Sequence, residues 1–266
     1  MKPHLLLPVL LAGTFGAAQA QQTTPPAGKP EDTEVYKPVP PVVAPGKTSA
    51  DPPADAIILF DGKNLDQWVS TENRDAPAKW TVGGGAFTVK KDQGNIETKR
   101  SFGSYQLHLE WRVPAGISGT GQGRGNSGIF LASIGKGDLG YELQILDAYQ
   151  NPTYVNGMAG SIYKQTAPLA NPARKPGEWQ TYDVVWTAPT FTAAGGVGTP
   201  ARVTVFFNGM LVQNNTVLTG PTRYIGKATY EQAHGPAPIK LQAHGDKSEP
   251  LSFRNIWLRE LPAAAQ

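Results

Sequence analysis

The stretch GYELQILDAY (140–149) sets two carboxylates and an amide among apolar residues that read as a strand. Glu142, Gln144 and Asp147 fall at relative positions 0, +2 and +5. Strict alternation puts Glu142 and Gln144 on one face and Asp147 on the other. A single β-bulge between them would return Asp147 to the face of Glu142. Two carboxyls brought to roughly 5–5.5 Å in that way can serve as nucleophile and acid/base on a glycosidic bond. Gln144 weakens a direct copy of this chemistry, because an amide neither ionises nor carries a transferable proton, and Asp147 is one methylene shorter than Glu. The competing reading is a strand end whose Asp147 opens the turn AYQNPTY.

Such a strand needs neighbours, and the chain supplies them. From Ile57 onward short apolar runs recur between Gly, Pro, Asn and Asp clusters: AIILF, AFTV, SYQLHLEWRV, SGIFLAS, QTYDVVWT, RVTVFFN, MLVQN, IKLQAH and SFRNIWLREL. Over 105–113 Tyr, Leu, Leu, Trp and Val occupy the odd positions and Gln, His, Glu and Arg the even ones, which predicts a strand with one wet face. That makes His108 and Glu110 solvated surface. RVTVFFNGMLVQN reads as a hairpin turning at Asn208-Gly209. TAPTFTAAGGVGTPA (187–201) reads as a loop inserted before it, with no chemistry of its own. No stretch carries a sustained helical period with caps. The expectation is an all-β chain: a concanavalin/lectin-like jelly-roll β-sandwich of two antiparallel sheets.

Residues 1–20 (MKPHLLLPVLLAGTFGAAQA) have the basic start, apolar run and small residues of a secretory signal cleaved after Ala20. The apolar run is too short and Gly-interrupted for a membrane span. An exported product, periplasmic or secreted and not inserted in the membrane, is expected. Residues 21–54 are dense in proline and read as a flexible, partly polyproline II linker, which leaves 55–263 as the folded domain. The chain has no cysteine, so burial alone must hold that domain. Cleavage would remove Lys2 and leave 23 basic against 21 acidic residues, with no Lys/Arg run; a nucleic-acid surface is not expected.

Several motifs fail on context. GRGNSG (123–128) matches G-x-G-x-x-G but leads into a strand, where a dinucleotide site needs a helix. His108-Leu109-Glu110 matches H-x-E without the thiols a zinc deaminase requires. There is no G-x-S-x-G elbow.

LFDGKNLDQW (59–68), GNSGIFL (125–131), GYELQILD (140–147), KPGEWQTYDV (175–184), FFNGMLV (206–212), LQAHGD (241–246) and FRNIWLREL (253–261), in this order, resemble the 3-keto-disaccharide hydrolase domain family. The resemblance runs from about Ile57 to Leu261. Two departures are Ala243, where the family often has Asp, and the insert around 190–200. The resemblance implies a hydrolase or lyase acting on 3-keto-glycosides, pre-oxidised by a separate dehydrogenase. A C3 ketone acidifies the C2–H; a base removes that proton, the enolate expels the C1 substituent, and water adds afterwards. This route does not need two acids, which accommodates Gln144.

On that reading Glu142 is the first candidate for base or metal ligand and His244 the second, with Lys240, Gln242 and His244 sharing one strand face. Asp147 is the candidate acid. Asn126, Gln144 and Gln242 offer amides to sugar hydroxyls, Tyr163 and Trp179 offer rings to a pyranose face, and Arg254 can reach the site or pair at the sheet edge. A divalent ion (Ca, Mg or Mn) on Glu142, Asp147 and His244 is a further expectation, since it would steady an enolate; no organic cofactor is expected. The rival to an enzyme is a non-catalytic carbohydrate-binding module of the same shape.

Overall fold

The structure is a computed structural model and describes residues 28–262. The secretory leader read over 1–20 lies outside the described residues. The chain divides into two units after Val42. In the first, every described residue is exposed and the sole regular element is a 3₁₀ turn, Pro30–Thr33, as a proline-dense, apolar-poor sequence dictates.

The second unit carries two antiparallel sheets. The larger runs, in order, β13 (Met210–Val217), β12 (Arg202–Phe207), β9 (Gln180–Thr187), β6 (Tyr105–Arg112), β15 (Ser252–Glu260), β4 (Ala86–Thr88) and β3 (Thr81–Gly83), with β1 (Ile57–Phe60) also paired to β15. The smaller runs β2 (Trp68–Ser70), β5 (Ile96–Thr98), β14 (Lys240–Leu241), β7 (Ser127–Ser133) and β8 (Gly140–Ile145). No α-helix occurs among the described residues. The all-β sandwich read from alternation is therefore what the chain forms.

Alternation sets which residues meet between the sheets. Tyr105, Leu107, Leu109 and Trp111 of β6 are at most 1% exposed, and they share a core with Ile129 and Leu131 of β7 and Tyr141, Leu143 and Ile145 of β8. At one end of this core the Phe87 ring lies 4.7 Å from Phe60 and 5.6 Å from Phe253, contacts worth roughly 0.5–1.5 kcal/mol each beyond their buried area. Two hydroxyls stitch the layers: Tyr105 donates to the Leu131 carbonyl at 2.6 Å and Tyr182 to the Gln144 carbonyl at 2.7 Å. The hairpin turns at Asn208-Gly209, both with positive φ (49° and 78°), the pairing a two-residue type I′ turn needs. The insert at 187–201 is more ordered than its composition implies, since β10 (Thr190–Phe191) and β11 (Val197–Thr199) pair within it.

Two expectations are corrected on the outer face of the large sheet. His108 and Glu110 are buried (2% and 7% exposed) rather than solvated. His108 Nδ1 is 2.7 Å from Asp183, its ring stacks on Trp257, and Glu110 takes hydrogen bonds from Arg254 and Asn255. The cover comes partly from the proline-rich segment: the Ala50 carbonyl accepts from Asn255 Nδ2 at 2.8 Å and Trp257 Nε1 at 3.0 Å. Residues 43–54, read as linker, thus belong to the folded unit. Backbone carbonyls hold them, and a composition-based reading cannot see such contacts.

Candidate active site

The outer face of the small sheet carries the chemistry. Strand β8 sends Tyr141, Leu143 and Ile145 into the core and Glu142 and Gln144 outward; β7 faces them with Gly128 opposite Gln144 and Phe130 opposite Glu142. Directly after β14, Gln242 and His244 come to the same side. Together with Gln122, Asn126, Asp138, Tyr163, Thr222 and Tyr224 these residues line a hollow of about 140 Å³. That is the scale of one sugar ring, well below the roughly 300–1,000 Å³ of sites that enclose larger ligands.

Glu142 lies at the floor, 5% exposed. Its backbone N–H donates to Thr222 Oγ1 at 3.0 Å, but its carboxyl has no hydrogen-bond or ion-pair partner among the described residues. Burial, helped by the nearby Asp138 charge, pushes its pKa up to about 8. The carboxyl lies across Gly128, where a Cβ would fall 2.5 Å from Oε1.

His244 enters from the opposite wall, one-third exposed. Asp246 holds its Nδ1 at 2.9 Å, and Nε2 stands 3.4 Å from Asn126 Nδ2 inside the hollow. The Asp246 backbone N–H also approaches Nδ1, at 3.2 Å, but the ionised carboxylate is the stronger partner and favours the proton on Nδ1. That leaves the Nε2 lone pair facing the hollow. Burial alone would raise the Asp246 pKa; hydrogen bonds from His244 and Ser248 and the Lys91 ammonium at 3.2 Å outweigh it and hold the carboxyl ionised, far below the usual range.

Amides fill the space between. Gln144 Nε2 donates to Asn126 Oδ1 at 3.0 Å while its Oε1 is buried without a partner. Among the described residues the Gln242 side chain has no hydrogen-bond partner, and its buried Oε1 is likewise unpaired. Buried unsatisfied amides are costly in a folded chain, and here they face a cavity where hydroxyls of a ligand can complete them. Tyr163 is hydrogen-bonded to Tyr154 at 2.6 Å; burial and that bond keep its hydroxyl protonated well beyond the ordinary tyrosine range.

Of the residues singled out from sequence, Glu142, His244, Asn126, Gln144, Tyr163 and Gln242 converge on this hollow. Three do not. Asp147 follows the end of β8 and is 2% exposed; its carboxylate pairs with Arg124 at 2.7 Å and accepts from the Tyr149 N–H. No bulge turns it toward Glu142, so it is the turn-opening residue of the competing reading. Trp179 lies between the guanidinium groups of Arg112 and Arg254, 4.5 and 4.2 Å from its ring. Arg254 belongs to the large sheet, where it pairs with Glu110. The three-ligand metal set goes with Asp147: among the described residues no group of three His, Asp or Glu side chains is placed to hold an ion. Glu142, Asp147 and His244 therefore do not fit that role together.

Sequence reasoning missed Gln122, in the 3₁₀ turn Gly121–Gly123, and Asp138, Thr222 and Tyr224, on loops. Asp138 has a visible support. Lys240, fully buried on β14, donates to the carbonyls of Gly135, Gly137 and Leu139 at 2.8, 2.8 and 3.0 Å, and Asn95 holds Asp138 Oδ1 at 3.0 Å. The pairing of His244 with Asp246 was the one missed feature with a sequence signal, the i, i+2 spacing in HGD.

Comparison with known proteins gives this hollow a context. The model of a family described as the 3-keto-alpha-glucoside-1,2-lyase-like domain matches residues 55–259. A 3-keto-disaccharide hydrolase of Bacteroides thetaiotaomicron is 27% identical over 158 residues, 48% of this chain and 52% of that protein. The match thus spans about half the length of that curated relative. A candidate glycosyl hydrolase of Parabacteroides distasonis is 52% identical, with a TM-score of 0.81 over 88% of this chain and 97% of that one. Another candidate glycosyl hydrolase of the same organism, 23% identical with a TM-score of 0.54 over 77% of this chain and 99% of that one, shares the fold.

Proposed function

The chain belongs to the 3-keto-alpha-glucoside-1,2-lyase-like family, and from that premise we propose that it is a glycosidase-like, carbohydrate-active protein that cleaves 3-keto-glycosides by elimination and hydration. The observation that carries the reading is one hollow holding a desolvated, unpartnered carboxyl (Glu142) and a carboxylate-backed imidazole (His244). Their environments differ in the way an acid and a base require.

His244 Nε2 takes the C2 proton, and the electron pair passes into the C3 carbonyl as an enolate. Gln242, whose amide has no other partner, turns its N–H₂ to that oxygen. As the enolate collapses, the C1–O bond breaks and Glu142, protonated at neutral pH, delivers its proton to the departing oxygen. Water then adds across C1=C2: the Glu142 carboxylate takes a proton from water as its hydroxide adds to C1, and the His244 imidazolium returns a proton to C2, which restores both groups. The ring hydroxyls satisfy Gln144 Oε1 and Asn126. This order gives the base role to His244, the second candidate from sequence, and gives Glu142, the first, the acid role expected of Asp147. On this reading the 3-keto substrate comes from a separate sugar 3-dehydrogenase, and the leader-like sequence over 1–20 supports a reaction outside the cytoplasm.

The test is incubation of the purified protein with a 3-keto-disaccharide, with and without EDTA, following 3-keto-glucose. Release by wild type is expected. Binding without release under every divalent-metal supplement would make the protein a carbohydrate-binding module and end the enzyme reading.

Gly128→Ala follows from the same geometry. The added methyl displaces the Glu142 carboxyl, whose Cγ and Cδ would also lie 3.1 Å away. Turnover is expected to fall at least tenfold, with a stability loss of about 1–3 kcal/mol, as overpacking typically costs. A thermal melt beside a rate assay checks both; wild-type turnover would show that the carboxyl position is not critical.

A further inference from the structure

Beside the hollow lies a second recess, of about 430 Å³. The two share a wall, since Asp138, Thr222 and Tyr224 line both. Their chemistry differs. The hollow is walled by amides, carboxyls and an imidazole, whereas Ile134, Leu139, Pro221, Tyr224 and Ile225 dominate the recess. Of its three charged side chains, Arg223 and Glu231 are paired with each other and Asp138 accepts from Asn95 on the shared wall. Leu139 is 54% exposed, Tyr224 73% and Ile225 82%, a cluster of large apolar side chains in water that the fold itself does not require. The loops bearing them are nonetheless held. Lys164 Nζ donates to the Tyr224 carbonyl at 2.6 Å and sits 4.2 Å from the Tyr224 ring centre, and Lys240 secures the Leu139 carbonyl.

A hollow sized for one ring leaves the other half of a glycoside outside it. The C1 substituent must emerge close to Glu142, which donates its proton, and the wall beyond Asp138 and Thr222 leads into the recess. Thr229 and Gln232 also line it, but a flat or aliphatic group would cover the exposed Leu, Tyr and Ile better than a second sugar. Resting on the elimination reading above, we propose that this recess is the leaving-group subsite and that it takes an apolar or aromatic aglycone, so that aglycone glycosides, and not disaccharides alone, are substrates.

The probes are methyl and cyclohexyl 3-keto-α-glucosides, which share the glycone and have alkoxide leaving groups of similar basicity. Wild type is expected to show kcat/KM roughly tenfold higher for the cyclohexyl compound, the gain expected from covering one hydrocarbon ring. Ile225→Ser, on a side chain too exposed to threaten folding, should remove most of that advantage and leave the methyl compound unchanged; Leu139→Ser should act in the same sense. Equal kcat/KM for both compounds in wild type, or equal losses on both in Ile225→Ser, overturns the subsite. If neither compound is turned over, the elimination reading fails, and the subsite is judged by calorimetry with unoxidised cyclohexyl and methyl α-glucosides. Tighter cyclohexyl binding that Ile225→Ser abolishes sustains it, and equal affinity overturns it.

Discussion

Glu142→Gln is expected to lower turnover of a 3-keto-glycoside by about 10²–10⁴-fold, the usual contribution of a general acid or base, while the protein stays folded and still binds sugar. The pH profile carries the finer expectation. Burial pushes the Glu142 pKa up to about 8, so an acid role requires the form present below that pH. Wild-type kcat/KM should then fall about tenfold per pH unit above about 8, and the residual activity of the Gln variant should lose that limb. A wild-type rate that instead rises through pH 8 would make Glu142 the base and reverse the assignment. Folding provides the control. A carboxyl whose folded pKa is raised from 4.5 to about 8 contributes stability that is fully present below 4.5 and lost as pH climbs through 8. Glutamine has no such loss, so the variant should melt at least as high as wild type at pH 9. An inactive, equally stable variant cannot be explained by unfolding.

How far the sequence foretells this depends on the kind of information each feature uses. Period-two alternation over 105–113 and in GYELQILD reports the local choice of face, which tertiary packing of two sheets preserves. Spacing therefore pairs Glu142 with Gln144, and Gln242 with His244, on one face of each strand, and the fold brings the two pairs to the same hollow. Asp147 failed because its position depends on whether a bulge forms, and the chain instead ends β8 at Ile145 and gives Asp147 to Arg124. Trp179 and Arg254 failed for a different reason: which sheet a strand joins is a long-range matter, and β15 pairs with β6 in the large sheet. His108 and Glu110 look solvated by pattern, yet residues around Ala50, some 58 positions upstream in chain order, help cover their surroundings. Asp138, Thr222 and Tyr224 sit on loops without periodicity, and only coordinates bring them to the hollow.

The largest loss is expected for His244→Gln, which removes the imidazole that lines the hollow and with it the C2 proton abstraction. Turnover should fall about 10³-fold or more, and in D₂O the variant should show no deuterium exchange at C2 of a bound 3-keto-sugar, whereas Glu142→Gln should still exchange. That contrast separates the two roles, because abstraction precedes departure of the leaving group. Exchange that persists without His244 would sink its assignment. Asp246→Asn tests the orienting partner. An Asn amide can donate to Nδ1, which moves the ring proton to Nε2 and turns the lone pair away from the substrate. The expected result is a kcat reduced about 10²-fold or more with KM little changed, since Asp246 does not itself line the hollow. Asp246 also accepts from Ser248, whose hydroxyl receives the Gly125 N–H ahead of β7, so a merely structural role would lower the melting temperature and raise KM together. A variant with normal melting, normal KM and no C2 exchange places the defect at the imidazole tautomer.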